Sequence, residues 1–130
     1  MEDSMKTSSS KIRSAFTALR REGLMVEAQA PRMPHARMIF HTSTKFGFIR
    51  YSQASYHNWK SLSRMSPEPF LACEYITSEE VRNDLSLNDR RVVRYALQRK
   101  IRAAFLDQGL QVQFNSDPTN LQFKILAKYV

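Results

Sequence analysis

Ile12-Arg13-Ser14-Ala15-Phe16-Thr17-Ala18-Leu19-Arg20-Arg21-Glu22-Gly23-Leu24-Met25-Val26-Glu27-Ala28 reads as a helix that turns over a glycine into a strand. Ile12, Phe16 and Leu19 recur at spacings of four and three, with Ala15 beside them, which predicts a helix over 10–22 with one apolar face. Ser9 or Ser10 supplies an oxygen that accepts a free backbone N–H of the first turn. Gly23 ends the helix, because the closing residue commonly takes positive φ, which glycine adopts without steric cost. Beyond it, Leu24, Val26 and Ala28 alternate with Met25, Glu27 and Gln29, the period of two that marks a half-buried strand.

The same arrangement returns near the end of the chain. Val93, Leu97, Ile101, Ala104 and Phe105 share a helical face, Gly109 terminates it, and Leu110, Val112 and Phe114 alternate with Gln111 and Gln113. Aligned on the glycines, Ala18-Leu19 and Leu24-Met25-Val26 face Ala104-Phe105 and Leu110-Gln111-Val112. The pattern fits an internal duplication, and it equally fits two independent helix–glycine–strand junctions.

The run Asn115-Ser116-Asp117-Pro118-Thr119-Asn120 is turn chemistry, and Leu121, Phe123, Ile125 and Ala127 alternate after it. A C-terminal hairpin follows from that order. Two further strands are expected over 46–51 and 70–76, and a short one over 38–41. Residues 52–69, with Pro67 and Pro69, read as a long loop or a loop with one turn of helix. Thr77 or Ser78, followed by Glu79 and Glu80, suits a helix start, since acids favour the positive end of the dipole. A break near 87–89 with a second cap then begins the longer helix. The fold class expected is α+β: a mixed or antiparallel sheet of four to six strands with two main helices packed on one face. Its tidiest form is two α-β-β halves meeting in one sheet.

A chain of 130 residues is long enough for one core and short for two domains. The expected organisation is a flexible N-terminus over 1–9 and a single domain over 10–130. Cys73 is the only cysteine, which excludes an internal disulfide and suits a reducing, cytoplasmic setting. No stretch approaches the roughly 18–20 apolar residues of a membrane span, and no secretory signal opens the chain.

Several short stretches resemble a group of uncharacterised bacterial α/β proteins. They are Ala18-Leu19-Arg20-Arg21-Glu22-Gly23, Gly47-Phe48-Ile49-Arg50-Tyr51, Phe70-Leu71-Ala72-Cys73-Glu74-Tyr75 and Gly109-Leu110-Gln111-Val112-Gln113-Phe114-Asn115. That resemblance implies an α/β fold and no activity. This chain departs from the group's usual tryptophan at Phe114, lacks paired cysteines after the first strand, and lacks the His and Asp usual near Ser52 to Ala54.

The formal charge of +8 is unevenly distributed: residues 1–66 hold eleven basic against four acidic groups, whereas 67–130 hold nine against eight. Between Ala28 and Pro67 there is no acid at all, but there are Arg32, Arg37, Lys45, Arg50, Lys60, Arg64 and all three histidines. Tyr51, Tyr56 and Trp59, with Phe40, Phe46 and Phe48, interleave with these cations. Cations neutralise phosphates while aromatic faces stack on unpaired bases, so the combination points to single-stranded nucleic acid. The alternative is that many of these rings are core. A second basic stripe is expected on the long helix, where Arg91, Arg94, Gln98 and Arg102 recur at threes and fours near Arg90, Arg99 and Lys100.

The expected function is a non-catalytic domain binding an anionic partner, nucleic acid first, with no cofactor. A second reading is a protein-interaction module for an acidic partner or a second copy. Tyr56, Trp59, Arg64 and Met65 would form its contact loop, and an exposed C-terminal strand would offer its edge for pairing. In that reading's bland form, Trp59 plugs the core. A third reading is a metal-free nuclease, with His41, His57 and His35 as acid and base and Lys45 or Arg50 stabilising developing charge. No paired cysteines, His-Glu-x-x-His helix or Asp cluster suggests a metal site. With glycines only at 23, 47 and 109, no Gly-rich phosphate loop can be built.

Overall fold

The computed structural model describes residues 7–30, 46–117 and 120–130. Helix α1 (Ser8–Arg21) leads into β1 (Leu24–Ala30), and β2 (Gly47–Ser52) runs directly into α2 (Gln53–Met65). Strand β3 (Phe70–Thr77) is followed by the short α3 (Ser78–Arg82) and the long α4 (Leu87–Asp107), then by β4 (Gln111–Phe114) and β5 (Gln122–Leu126). The fold is α+β, one open mixed sheet in the order β1-β2-β3-β5-β4. Strands β1 and β2 are parallel; every other neighbouring pair is antiparallel.

Both helix–glycine–strand junctions form, with Gly23 at φ 94 and Gly109 at φ 75. They end up at opposite edges of the sheet, with β1 on one edge and β4 on the other. The tidy pair of halves does not form, because β3 is inserted between β2 and β5 and because β1–β2 is parallel where β4–β5 is an antiparallel hairpin. The C-terminal strand β5 is therefore interior, not an edge free to pair. Helix α1 begins at Ser8, capped by Thr7, so Ser8 and Ser9 belong to the helix and not to a loose terminus. The strand expected over 38–41 lies outside the described residues.

The largest departure from expectation is α2, a 13-residue helix where a loop was expected. Ser52 caps it by accepting from the Ser55 N–H at 3.0 Å. Its inward positions are Tyr56, Trp59 and Ser63, at helical spacing, but with serine where an aliphatic residue would have completed the apolar pattern. Tertiary bonds hold that face. Trp59 Nε1 donates to the Ala127 carbonyl at 2.6 Å. The Ser63 hydroxyl donates to Trp59 O and accepts from Tyr129 N–H, both at 2.8 Å. The C-terminal residues are thereby strapped along α2.

All three long helices cover one face. Ile49, Tyr51, Leu71, Cys73, Tyr75, Phe123 and Ile125 alternate onto it and join Phe16, Trp59, Leu97, Ile101 and Phe105 in one apolar cluster. Gly47 lies beneath α4, where an added Cβ would meet Leu97 Cδ2 at 3.0 Å. The opposite face carries Phe48, Arg50, Ala72, Glu74, Gln122 and Lys124, by the same alternation and register.

Helix α4 is anchored by charge as well as by packing. Thr77 and Glu80 form a capping box: Glu80 N–H donates to Thr77 Oγ1, while Thr77 N–H and its hydroxyl both donate to Glu80 Oε2. The other carboxylate oxygen accepts from Arg94 Nε of α4, and both residues of this ion pair are buried. Arg94→Met would keep most of the volume but leave the Glu80 carboxylate buried without its cation, an expected loss of about 3–5 kcal/mol in urea unfolding. Gly109→Ala, forced to hold φ 75, should lose about 1–2 kcal/mol in the same measurement.

Candidate functional site

The acid-free stretch does not assemble one surface among the described residues. Arg32, Arg37 and Lys45, with His35, His41 and Phe40, lie outside them. Arg50 is buried on the face opposite the three long helices, in register between Glu27 of β1 and Glu74 of β3. Burial raises the Glu74 carboxyl above its ordinary range, and the Arg50 charge opposes that rise. Tyr56, Trp59, Lys60 and Arg64 belong to α2, on the helical side. The break falls at Ser52, where the chain leaves the sheet and becomes helix.

On α2 the rings are structural. Trp59 is 1% exposed, so its faces cannot stack on a base, and Phe48 and Tyr51 are also buried. Tyr51, Tyr56, Trp59 and Tyr129 pack as neighbours, with Trp59 and Tyr129 centroids 5.0 Å apart. Lys60 Nζ sits 4.8 Å from the Tyr56 centroid and 5.0 Å from that of Tyr129. Its charge already has two ring partners; Arg64 and His57 are exposed. Tyr56 donates to the Tyr129 hydroxyl at 3.2 Å, which pushes the Tyr56 pKa up to about 12 and lowers that of Tyr129.

Helix α4 carries the stronger arrangement. Its 21 residues extend about 30 Å. At about 3.6 residues per turn, Arg94 projects between Ile101 and Phe105, inside the core arc and not beside it. It is 4% exposed, and so leaves the expected stripe. Gln98 also turns inward and donates from Nε2 to the Tyr75 hydroxyl at 2.6 Å. Arg91 and Arg102 remain exposed, and Arg99 joins them.

The outward arc of α4 holds Arg91, Val92, Tyr95, Arg99, Arg102 and Leu106. Neither acid of the helix, Asp89 or Asp107, projects within it. The cations here are seated on rings: Arg99 Cζ is 5.8 Å from the Tyr95 centroid, Arg102 Cζ 5.0 Å from that of Phe114. Outside the arc, past Asp89 and Asp107 around the helix, Lys100 Nζ lies 5.8 Å from the ring of Phe46, which precedes β2. Such contacts restrict each side chain while leaving N–H donors directed to solvent. Tyr95 was not among the residues expected from sequence. It was legible as the residue four from both Arg91 and Arg99, opposite Val93, Leu97 and Ile101.

Other chemistry finds little support. Cys73 is buried on β3, and burial pushes its thiol pKa well up, away from nucleophilic use. Among the described residues, no three His, Cys, Asp or Glu side chains gather as metal ligands, and no helix is long and apolar enough to cross a membrane. No family model matches the chain, and neither a curated protein nor a solved structure matches it.

The tyrosine pair gives a direct check on the seam between α2 and the C-terminal residues. In an alkaline absorbance titration Tyr129 should ionise early and Tyr56 late, near about 12. Tyr129→Phe should abolish the early step and bring Tyr56 down, since the acceptor that raises it is gone. Wild-type tyrosines all ionising together would show that the pair does not form.

Proposed function

We propose that the protein is a non-catalytic binding domain whose partner is a polyanion, nucleic acid first, engaged through the outward face of α4. The observation that carries this reading is the acid-free arc with Arg91, Arg99 and Arg102 exposed together, two of them held on aromatic rings. Guanidinium groups are well suited to phosphate because they donate in a planar fork. Cations already restricted by ring contacts lose less freedom on binding. The net charge of +8 adds a long-range attraction for the same class of partner. A reducing, cytoplasmic setting belongs to this reading and is supported by the single, buried thiol of Cys73.

Binding to fluorescein-labelled single-stranded DNA and RNA across a salt series tests the proposal. Affinity should fall steeply as salt rises, because phosphate contacts release counterions. Arg91→Gln, Arg99→Gln and Arg102→Gln should each reduce the log–log salt slope by about 1. No binding to any oligonucleotide at about 50 mM salt would overturn the reading.

A second reading rests on a different observation about the same face. Val92, Tyr95 and Leu106 are 71%, 59% and 63% exposed, an apolar ridge among the arginines. Interfaces between proteins favour tyrosine and arginine around such apolar contacts. An acidic protein, or a second copy of the chain, would cover that ridge. Light scattering after size exclusion would then report a stable dimer, or a complex that persists in high salt, and Leu106→Glu would dissolve it.

A further inference from the structure

Beside the arginine face, a slot of about 350 Å³ opens between α4 and the tip of the β4–β5 hairpin. Tyr95 stands on its helix side and Phe114 on its sheet side, with Tyr75 and Gln98 within and residues 115–117 at the rim. The Gln98 amide donates to the Tyr75 hydroxyl at 2.6 Å. With the phenol oxygen accepting from Gln98, the phenol proton is directed elsewhere, and the Gln98 carbonyl oxygen remains an acceptor beside it. The slot thus presents an O–H donor next to a C=O acceptor, between two aromatic residues. Of its charged residues, Arg94 is paired with Glu80, and Arg91 and Asp117 bear opposite charges. It is therefore close to neutral, unlike the arginine arc that it adjoins through Arg91 and through Arg102 on the Phe114 ring.

We propose that this slot takes the base of an unpaired nucleotide while Arg91 and Arg102 meet the neighbouring phosphates, an inference that rests on the polyanion reading of the α4 face. A nucleobase carries adjacent donors and acceptors on its edge and has a flat face that stacks on aromatic rings. Both features match the slot, and a free phosphate has neither. In a duplex the base faces are stacked and the pairing edges are used, so the slot selects single strands. The ligand class is single-stranded nucleic acid read at one base position. The arginines track the backbone; Gln98 and Tyr75 meet the edge of the base, the exposed Tyr95 ring meets its face, and Phe114, whose own ring carries Arg102 and packs on Phe123, walls the sheet side.

The test compares three labelled ligands of equal length with the full chain: a single strand, the same sequence as a duplex, and a strand of abasic residues. The single strand should bind about tenfold more tightly than the abasic strand at the same salt, the scale of one stacked base. Gln98→Leu and the exposed Tyr95→Ala should each erase most of that ratio and leave the salt slope unchanged. Arg91→Gln should lower the slope and keep the ratio. Thermal melting of each variant separates a lost contact from a lost fold, and Tyr95→Ala carries the test if Gln98→Leu does not fold. Equal affinity for all three ligands, unaltered by either slot variant, would overturn the slot while the arginine face stands. No binding to any of them at about 50 mM salt would overturn both.

Discussion

The ion pair between Arg94 and Glu80 is the constraint around which the helical layer is arranged. Glu80 is held by the cap of the short helix that follows β3, and Arg94 is about two turns into the long helix α4. Both are buried, so their attraction acts where water does not screen it, against a substantial desolvation cost. What such a pair secures is orientation more than net stability. It acts together with the buried Leu97, Ile101 and Phe105, which turn the same face of α4 to the sheet and leave the other to solvent. The outward arc with Arg91, Arg99 and Arg102 is the geometric consequence.

A line of aromatic contacts completes the layer. Phe123 meets Phe114 and Phe105, Phe105 meets Phe16, and Phe16 stacks on Tyr51, which continues to Tyr56. Tyr56 in turn meets Trp59 and Tyr129. The line crosses from the β4–β5 hairpin through α4 and α1 to α2, so all three long helices share one interior. Three of the rings that the sequence interleaves with cations, Tyr51, Tyr56 and Trp59, are spent on this interior. The interleaving at Tyr51, Tyr56 and Trp59 is thus a by-product of a β2–α2 junction whose inward positions are aromatic and whose outward ones are polar.

The functional reading follows from where charge remains after folding. Arg50 and Arg94 are withdrawn from the surface, and Lys60 is held between two tyrosines. Among the described residues, the arginines left together on one exposed surface are on α4, beside a slot lined by Tyr75, Gln98 and Phe114. The interface proposed for this protein has moved from the acid-free middle of the chain to its longest helix, where three-dimensional proximity and not abundance makes the patch.

Local features were legible from the chain alone. The two glycine-terminated helices, the strands that follow them, the Thr77 start and the C-terminal hairpin each depend on residues within a few positions of one another, so their signals survive in sequence. Helix α2 was not legible, because Ser63 interrupts its apolar pattern and its stability comes from Ala127 and Tyr129, more than sixty residues away. The placement of Arg94 likewise depended on Glu80, on a separate helix. Sequence determined how much positive charge the protein carries and which segments become helix–glycine–strand units. Only the tertiary structure decided which cations face water, since exposure depends on what packs against a side chain, and those partners are distant in the chain.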